Sequence, residues 1–331
     1  MGSRKRKYHP VLASLNYGVA FLFYALLNIL PRGVAETLGA AAGLLVYGVD
    51  RRHRLLVQAQ LHEAFSSWPI ARIRRTARQC YANFGRYAVE FARLGQSNPR
   101  EILASVTVEG EDHLRAARNQ GRGVIFLTAH LGNWELMAVV CTLLGYRLYP
   151  VVRPLDNPWL NRLIDRIRSR YGNAMISKKT ETAGRDVINA LRRGDCVGIL
   201  LDQNMASYDG VFVEFFGRPA CTSNGLALIA RRTGAPVIPA FIVREADGRH
   251  RIIIDRPVEL MKSRDIERDV LVNTGRCTAI IERMVRAYPE QWLWMHRRWK
   301  TQPASQRPTD TSGASPGGEQ SPVLQADHRL S

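Results

Sequence analysis

Apolar residues first gather in one unbroken block. Residues 11–30 hold sixteen apolar side chains out of twenty, and no Asp, Glu, Lys or Arg lies between Lys7 and Arg32. Twenty helical residues extend about 30 Å, the thickness of a bilayer's hydrocarbon core. The run is too long for the apolar part of a signal peptide and lacks a small-x-small exit. It predicts a membrane-anchoring or deeply inserted helix, with Arg4, Lys5, Arg6 and Lys7 as a cytoplasmic basic flank. Residues 34–49 are also apolar, interrupted by Glu36, and predict a second helix lying on the membrane or against the body.

The period then changes. Between Ile70 and Phe91 the apolar positions Ile73, Ala77, Tyr81, Phe84 and Ala88 recur every three or four residues, which predicts a helix. Its other faces carry Arg72, Arg75, Arg78 and Arg86. From about residue 105, short apolar runs at 123–129, 148–152, 197–201, 237–243 and 251–254 read as strands. They are separated by helical patterns at 133–144, 158–171, 182–193 and 223–233, and a long one follows at 266–288. Strands alternating with helices predict an α/β fold, a mainly parallel sheet flanked by helices, behind an N-terminal membrane-anchoring helix. Three regions result: 1–50, basic and hydrophobic; 51–301, the α/β domain, with 51–100 as an Arg-rich helical part; and 302–331, a Pro-, Gly- and Ser-rich tail expected to be disordered.

Charge and cysteine content narrow the classes. The formal net charge is +18, and residues 51–100 contain ten Arg against only Glu63 and Glu90. Such a field attracts anionic partners: phospholipid, acidic protein, phosphorylated substrate or nucleic acid. A nucleic-acid reading leaves the apolar N-terminus unexplained, and no zinc-finger, RNP, KH or helix-turn-helix pattern supports it. Five widely spaced cysteines with no C-x-x-C pair exclude a disulfide scaffold and a zinc ribbon. Gly313-Ala314-Ser315-Pro316-Gly317 matches a nucleophile-elbow pattern, but it lies in the tail without the strand and helix that an elbow needs.

The chemistry gathers around Thr128-Ala129-His130-Leu131-Gly132-Asn133-Trp134-Glu135. A buried strand delivers His130 to its carboxyl end, where open α/β sheets bind ligands. Gly132 permits a tight turn, and Asn133 is a good N-cap. On one continuous helix His130 and Glu135 would point about 140° apart. Across a turn Glu135 can instead fold back, fix the imidazole tautomer and leave the other nitrogen as a general base.

The H-x-x-x-x-E spacing resembles the H-x-x-x-x-D/E acyltransferase superfamily, and more closely the late acyltransferases of bacterial lipid A biosynthesis. Pro150-Val151-Val152-Arg153-Pro154 with Asn157-Pro158 is similar to a second block of that family. Asp202-Gln203 followed by residues 210–217 (GVFVEFFG) is similar to a third, and residues 289–300 (PEQWLWMHRRWK) to its ending. The resemblance spans approximately residues 10–303. It implies transfer of an acyl chain from acyl carrier protein to an anionic glycolipid at the cytoplasmic face of the bacterial inner membrane, with neither metal nor cofactor. His130 and Glu135 would be catalytic; Asn133, Arg153, Asp202 and Gln203 would bind substrate or the oxyanion. The acidic carrier protein would suit the Arg72/Arg74/Arg75/Arg78 cluster or Arg297 and Arg298. An acyl-CoA-dependent enzyme acting on another glycolipid is the alternative within the same chemistry. The Trp292/Trp294/Trp299 cluster reads as packing.

Overall fold

The computed structural model describes residues 10–303. The basic flank at residues 4–7 and the Gly313–Gly317 pattern, with nearly all of the expected tail, lie outside the described residues. Five helices come first: α1 (Pro10–Ile29), α2 (Arg32–Val49), α3 (Arg51–Ala64), α4 (Ile70–Leu94) and the short α5 (Pro99–Ala104). Pro31, extended at φ −55° and ψ 143°, separates the first two. Strands and helices then alternate: β1 (Val106–Glu109), α6 (Glu111–Arg118), β2 (Val124–Thr128), α7 (Trp134–Leu143), β3 (Leu148–Val152), α8 (Pro158–Ser169), β4 (Ile176–Ser177), α9 (Ala183–Arg192) and β5 (Cys196–Leu200). A hairpin, β6 (Gly210–Phe215) and β7 (Arg218–Ser223), precedes α10 (Gly225–Thr233), β8 (Val237–Arg244), β9 (His250–Ile254) and α11 (Ile266–Ala287).

Seven strands form one sheet in the order β1-β9-β8-β2-β5-β3-β4. Every neighbouring pair is parallel except β8 and β9. The expected mainly parallel sheet flanked by helices is therefore present. β2 is buried along its whole length, which accounts for its continuous apolar run: a central parallel strand is covered on both faces. The five cysteines are buried and unbridged.

The hairpin β6–β7 is absent from the hydrophobic pattern, and the reason lies in its turn. Phe216 and Gly217 both adopt positive φ, 55° and 71°, a geometry that sequence signals as Asn-Gly or Asp-Gly. Here an aromatic residue takes the strained position. Its backbone N–H donates to Glu282 Oε2 at 2.6 Å, and its ring packs edge-on against Phe65 and Phe215. Trp292, Trp294 and Trp299 are buried in the same apolar cluster, as expected for packing residues.

No helix among the described residues is long and apolar enough to cross a membrane. The expected anchoring run falls on α1, a helix of twenty residues. α1 rests on α4 and α8, and the Arg93 guanidinium of α4 donates to the carbonyls of Leu27 and Leu30 at its end. α2 crosses α4 at very close range. A Cβ on Gly43 would lie 2.1 Å from the Tyr81 carbonyl oxygen, and one on Gly85 would lie 2.0 Å from that of Gly39. Close backbone approach of this kind requires glycine on both helices. The outer sides of α1 and α2 expose Leu22, Phe23, Leu26, Ile29, Leu38, Leu45, Val46 and Val49.

Candidate active site

Two adjacent parallel strands build the centre of the site. β2 and β5 are paired in register, Thr128 opposite Leu200, and the ladder continues as Leu201 N–H donates to the Thr128 carbonyl at 3.1 Å. Two residues beyond each strand end, that register sets His130 beside Asp202. His130 Nδ1 is 2.8 Å from Asp202 Oδ1, and the His130 backbone N–H donates to Oδ2 at 2.9 Å. The Trp292 indole N–H donates to Oδ2 as well, at 2.8 Å.

The Asp202 side chain is 2 % exposed. Burial alone would raise its pKa, but the His130 ring and the hydrogen bonds from His130 and Trp292 outweigh burial and hold it at about 2. An ionised carboxylate only accepts hydrogen bonds, so Nδ1 is the nitrogen that donates to it, and in the neutral imidazole Nε2 is the acceptor. Gln203 Nε2 lies 3.4 Å from that nitrogen, and the Trp134 ring stands edge-on to the imidazole at a centroid distance of 4.8 Å.

The loop between His130 and α7 is held from three sides. Gly132 takes φ +57°, and a Cβ there would lie 2.1 Å from the Ile242 carbonyl oxygen. The chain after α11 pairs with the loop: Leu131 bridges Trp292, Gly132 N–H donates to Gln291 O, and Leu293 N–H donates to His130 O. Asn133 caps α7 as its Oδ1 accepts from Leu136 N–H at 3.0 Å, while its Nδ2 donates to Glu90 Oε2 at 2.8 Å. Its buried carboxamide therefore braces the loop, and Asn133 also lines the small chamber at His130. Glu90 is buried too, yet His250, Arg244 and Asn133 together keep its pKa below the ordinary carboxylate value. Arg244 continues from Glu90 to Glu36 on α2 at 3.1 Å, so one polar chain ties the His130 loop to the N-terminal helices.

Glu135 occupies a different place from the one its spacing suggested. It lies in the first turn of α7, and its carboxylate is taken by Arg168 of α8, whose Nε lies 3.0 and 3.1 Å from the two oxygens and whose Nη2 lies 2.5 Å from Oε1. The carboxylate on His130 is that of Asp202. Pairing by H-x-x-x-x-E considers one turn of chain; the partner comes from the neighbouring strand, seventy-two residues on. Arg153 follows β3, is 71 % exposed and approaches Asp156 only to 3.9 Å, so its guanidinium is free to meet a ligand at the rim. Arg298, expected on a docking surface, is buried. It donates to the carbonyl of Cys221 and to Thr222 Oγ1, and burial depresses its pKa to about 10. The neighbouring His296 accepts from Asn204 N–H at 2.9 Å, which fixes the chain just after Gln203. Trp292, expected only to pack, also bonds Asp202. The sequence signals for that contact are the Asp202-Gln203 block and the residue 289–300 block, which lie far apart along the chain.

His130 and Trp134 both line two cavities. One, of about 340 Å³, is lined by Phe126, Met137, Leu148, Val152 and Leu200, with Glu135, Arg153, Arg168, Lys178 and Gln203 supplying its polar side. The other, a chamber of about 30 Å³, is bounded also by Asn83, Phe84, Glu90, Gln291 and Leu293. No group of His, Cys, Asp and Glu among the described residues could hold a metal ion.

A mainly parallel α/β sheet thus carries a His–Asp pair just beyond the carboxyl ends of two adjacent strands, with the imidazole lining a cavity, which is the arrangement of an enzyme site. Residues 3–301 match the model of the bacterial lipid A biosynthesis acyltransferases, and the chain belongs to that family. It is an acyltransferase. It is 28% identical over 295 residues to a lipid A biosynthesis lauroyltransferase of Escherichia coli (strain K12), covering 88% of this chain and 92% of that one. With the lipid A biosynthesis palmitoleoyltransferase of the same organism it shares 26% identity over 279 residues, 84% of this chain and 88% of that one. A phosphatidylinositol mannoside acyltransferase of Mycobacterium tuberculosis (strain ATCC 25618 / H37Rv) is 29% identical over 170 residues, 50% of this chain and 54% of that one.

Proposed function

We propose that the protein transfers a fatty acyl group from the thioester of acyl carrier protein to a hydroxyl of a lipid A precursor, with His130 as the general base. The observation that carries this reading is the His130 imidazole itself: Asp202 holds Nδ1, and the ring lines two cavities. Nε2 takes the proton of the acceptor hydroxyl as its oxygen attacks the thioester carbon. The new C–O bond forms, the C–S bond breaks, and the proton passes to the departing thiolate. Asp202 orients the ring and stabilises the imidazolium without accepting the proton. Gln203, beside Nε2, supplies an amide N–H to the developing oxyanion. Arg153 and Lys178, which line the larger cavity, suit a phosphate on the donor's prosthetic arm.

Localisation at the cytoplasmic face of the inner membrane belongs to the same reading. The exposed apolar residues of α1 and α2 suit helices lying in the lipid interface, and the +18 charge adds attraction to anionic headgroups and to an acidic donor protein. The names of the Escherichia coli relatives support lipid A as the acceptor class. Mass spectrometry of lipid A from a strain lacking this protein tests the reading. Loss of one secondary acyl chain is expected; unchanged lipid A with an altered second glycolipid would move the activity to that lipid.

A further inference from the structure

A second wall of the site carries charge that the reaction at His130 does not use. Arg74, Arg75, Arg78 and Arg86 of α4 line a groove of about 1020 Å³, closed opposite by Arg244, Glu245, Glu290 and Gln291. Arg72, from the same run, turns away and stacks on Trp68 at 3.8 Å. Among the described residues Arg74, Arg75 and Arg78 have no carboxylate partner, whereas Glu245 is held by Arg251. Side chains at 74, 78, 82 and 86 rise along one helical face, and Ala82 leaves a gap of roughly 12 Å between Arg78 and Arg86.

This groove is one of three spaces that meet on α4. Asn83, Arg244 and Gln291 belong both to it and to the small chamber at His130. Phe84, Leu293 and Met295 belong both to that chamber and to an apolar groove of about 740 Å³. The apolar groove runs between α1, α2 and α4 past Phe23, Leu27, Leu38, Val46, Ala88 and Val89. An apolar channel, a cationic channel and a catalytic imidazole therefore converge at Asn83 and Phe84. That arrangement fits an anionic amphiphile whose reacting hydroxyl lies between its head and its chain.

We propose that the Arg74/Arg75/Arg78 groove receives a phosphate of the acceptor lipid's head while the apolar groove beside it receives an acyl chain of the same molecule, so that an acceptor hydroxyl reaches His130 Nε2. The proposal rests on the acyl-transfer reading above and adds the acceptor's binding mode. Arginine suits this task because its planar fork meets phosphate oxygens in pairs and stays charged throughout the working pH range. A carrier protein also carries negative charge, but an acidic surface gains nothing from the apolar groove that opens beside the arginines.

The test compares wild-type enzyme, Arg74→Gln/Arg75→Gln/Arg78→Gln, and a control with equal charge loss far from the groove, Arg185→Gln/Arg192→Gln/Arg232→Gln. The probe is a tetraacylated disaccharide lipid, with its phosphates or after phosphatase treatment, in neutral detergent micelles. Equilibrium binding is read without donor, and KM for acceptor and donor with it. Wild type is expected to bind the phosphorylated lipid roughly tenfold more tightly than the dephosphorylated one, with the preference lost in the groove variant and kept in the control. The acceptor KM should rise by the same factor while the donor KM stays within about twofold. Equal binding of both lipids by wild type and groove variant overturns the proposal, as does a rise confined to the donor KM, which would make the groove a carrier-protein surface. If wild type binds the phosphorylated lipid selectively but transfers nothing to it, the acyl-transfer reading fails while the groove assignment stands.

Discussion

Trp292 and Asp202 are joined by a hydrogen bond of 2.8 Å from the indole N–H to the carboxylate that also holds His130. The residue that closes the back of the site is therefore also part of its electrostatics. Trp292→Phe keeps most of the apolar volume and removes the N–H. A hydrogen bond to a charged group is worth about 1.5–3 kcal/mol. The expected outcome is a stability loss in that range by urea unfolding, and a fall in kcat of roughly tenfold with little change in KM.

The pH dependence of stability follows from Asp202. Burial raises its pKa, the His130 ring and its hydrogen bonds lower it more, and it settles at about 2 against an ordinary 3.8. A depressed carboxylate pKa contributes stability that is fully present above the unfolded value and disappears as pH falls through the folded one. The stability difference between wild type and Asp202→Asn should hence be constant above about pH 5 and shrink steadily between about pH 4 and pH 2. A difference that first disappears near neutrality would locate the stabilisation elsewhere.

Glu135 is expected to act through Arg168. Glu135→Ala leaves a guanidinium partly buried and unpaired at the wall of the larger cavity, and activity should fall. Combining Glu135→Gln with Arg168→Gln should cost no more than the worse single change, because the two residues act as one unit. Strict additivity of the two losses, measured as kcat/KM in a double-mutant cycle, would separate them.

The crossing of α2 and α4 gives a handle on membrane association. Gly43→Val sets side-chain atoms into the Tyr81 backbone and should push the N-terminal helices off α4. The expected outcome is a lower melting temperature with weaker binding to anionic vesicles. Deletion of residues 1–31 should reduce vesicle binding further, whereas equal partitioning of truncated and full-length protein would remove α1 from the membrane interface.

The particular residues that sequence reasoning placed well share a local cause. β3 was delimited by its apolar run and turn, and His130 was set at a strand end by the buried run that precedes it. Asn133 was recognised as a cap because capping needs only three residues of chain. The His130–Asp202 pair was beyond that reach, since it depends on which two strands become neighbours and in what register. The β6–β7 hairpin was missed because Phe216 stands where a turn usually signals itself with Asn or Gly. Arg298 looked like surface charge because its hydrogen bonds reach residues about seventy-five positions earlier.

The measurement closest to the proposed chemistry is the single-turnover rate of acyl transfer by folded His130→Ala and Asp202→Asn proteins, with both substrates saturating. Removing a general base, or the carboxylate that orients it, lowers rates by about 10²–10⁴-fold. Both variants should show a loss of that size while still binding acceptor lipid as wild type does. Near wild-type turnover in folded His130→Ala protein would contradict His130 as the base and, with it, the role given to Asp202.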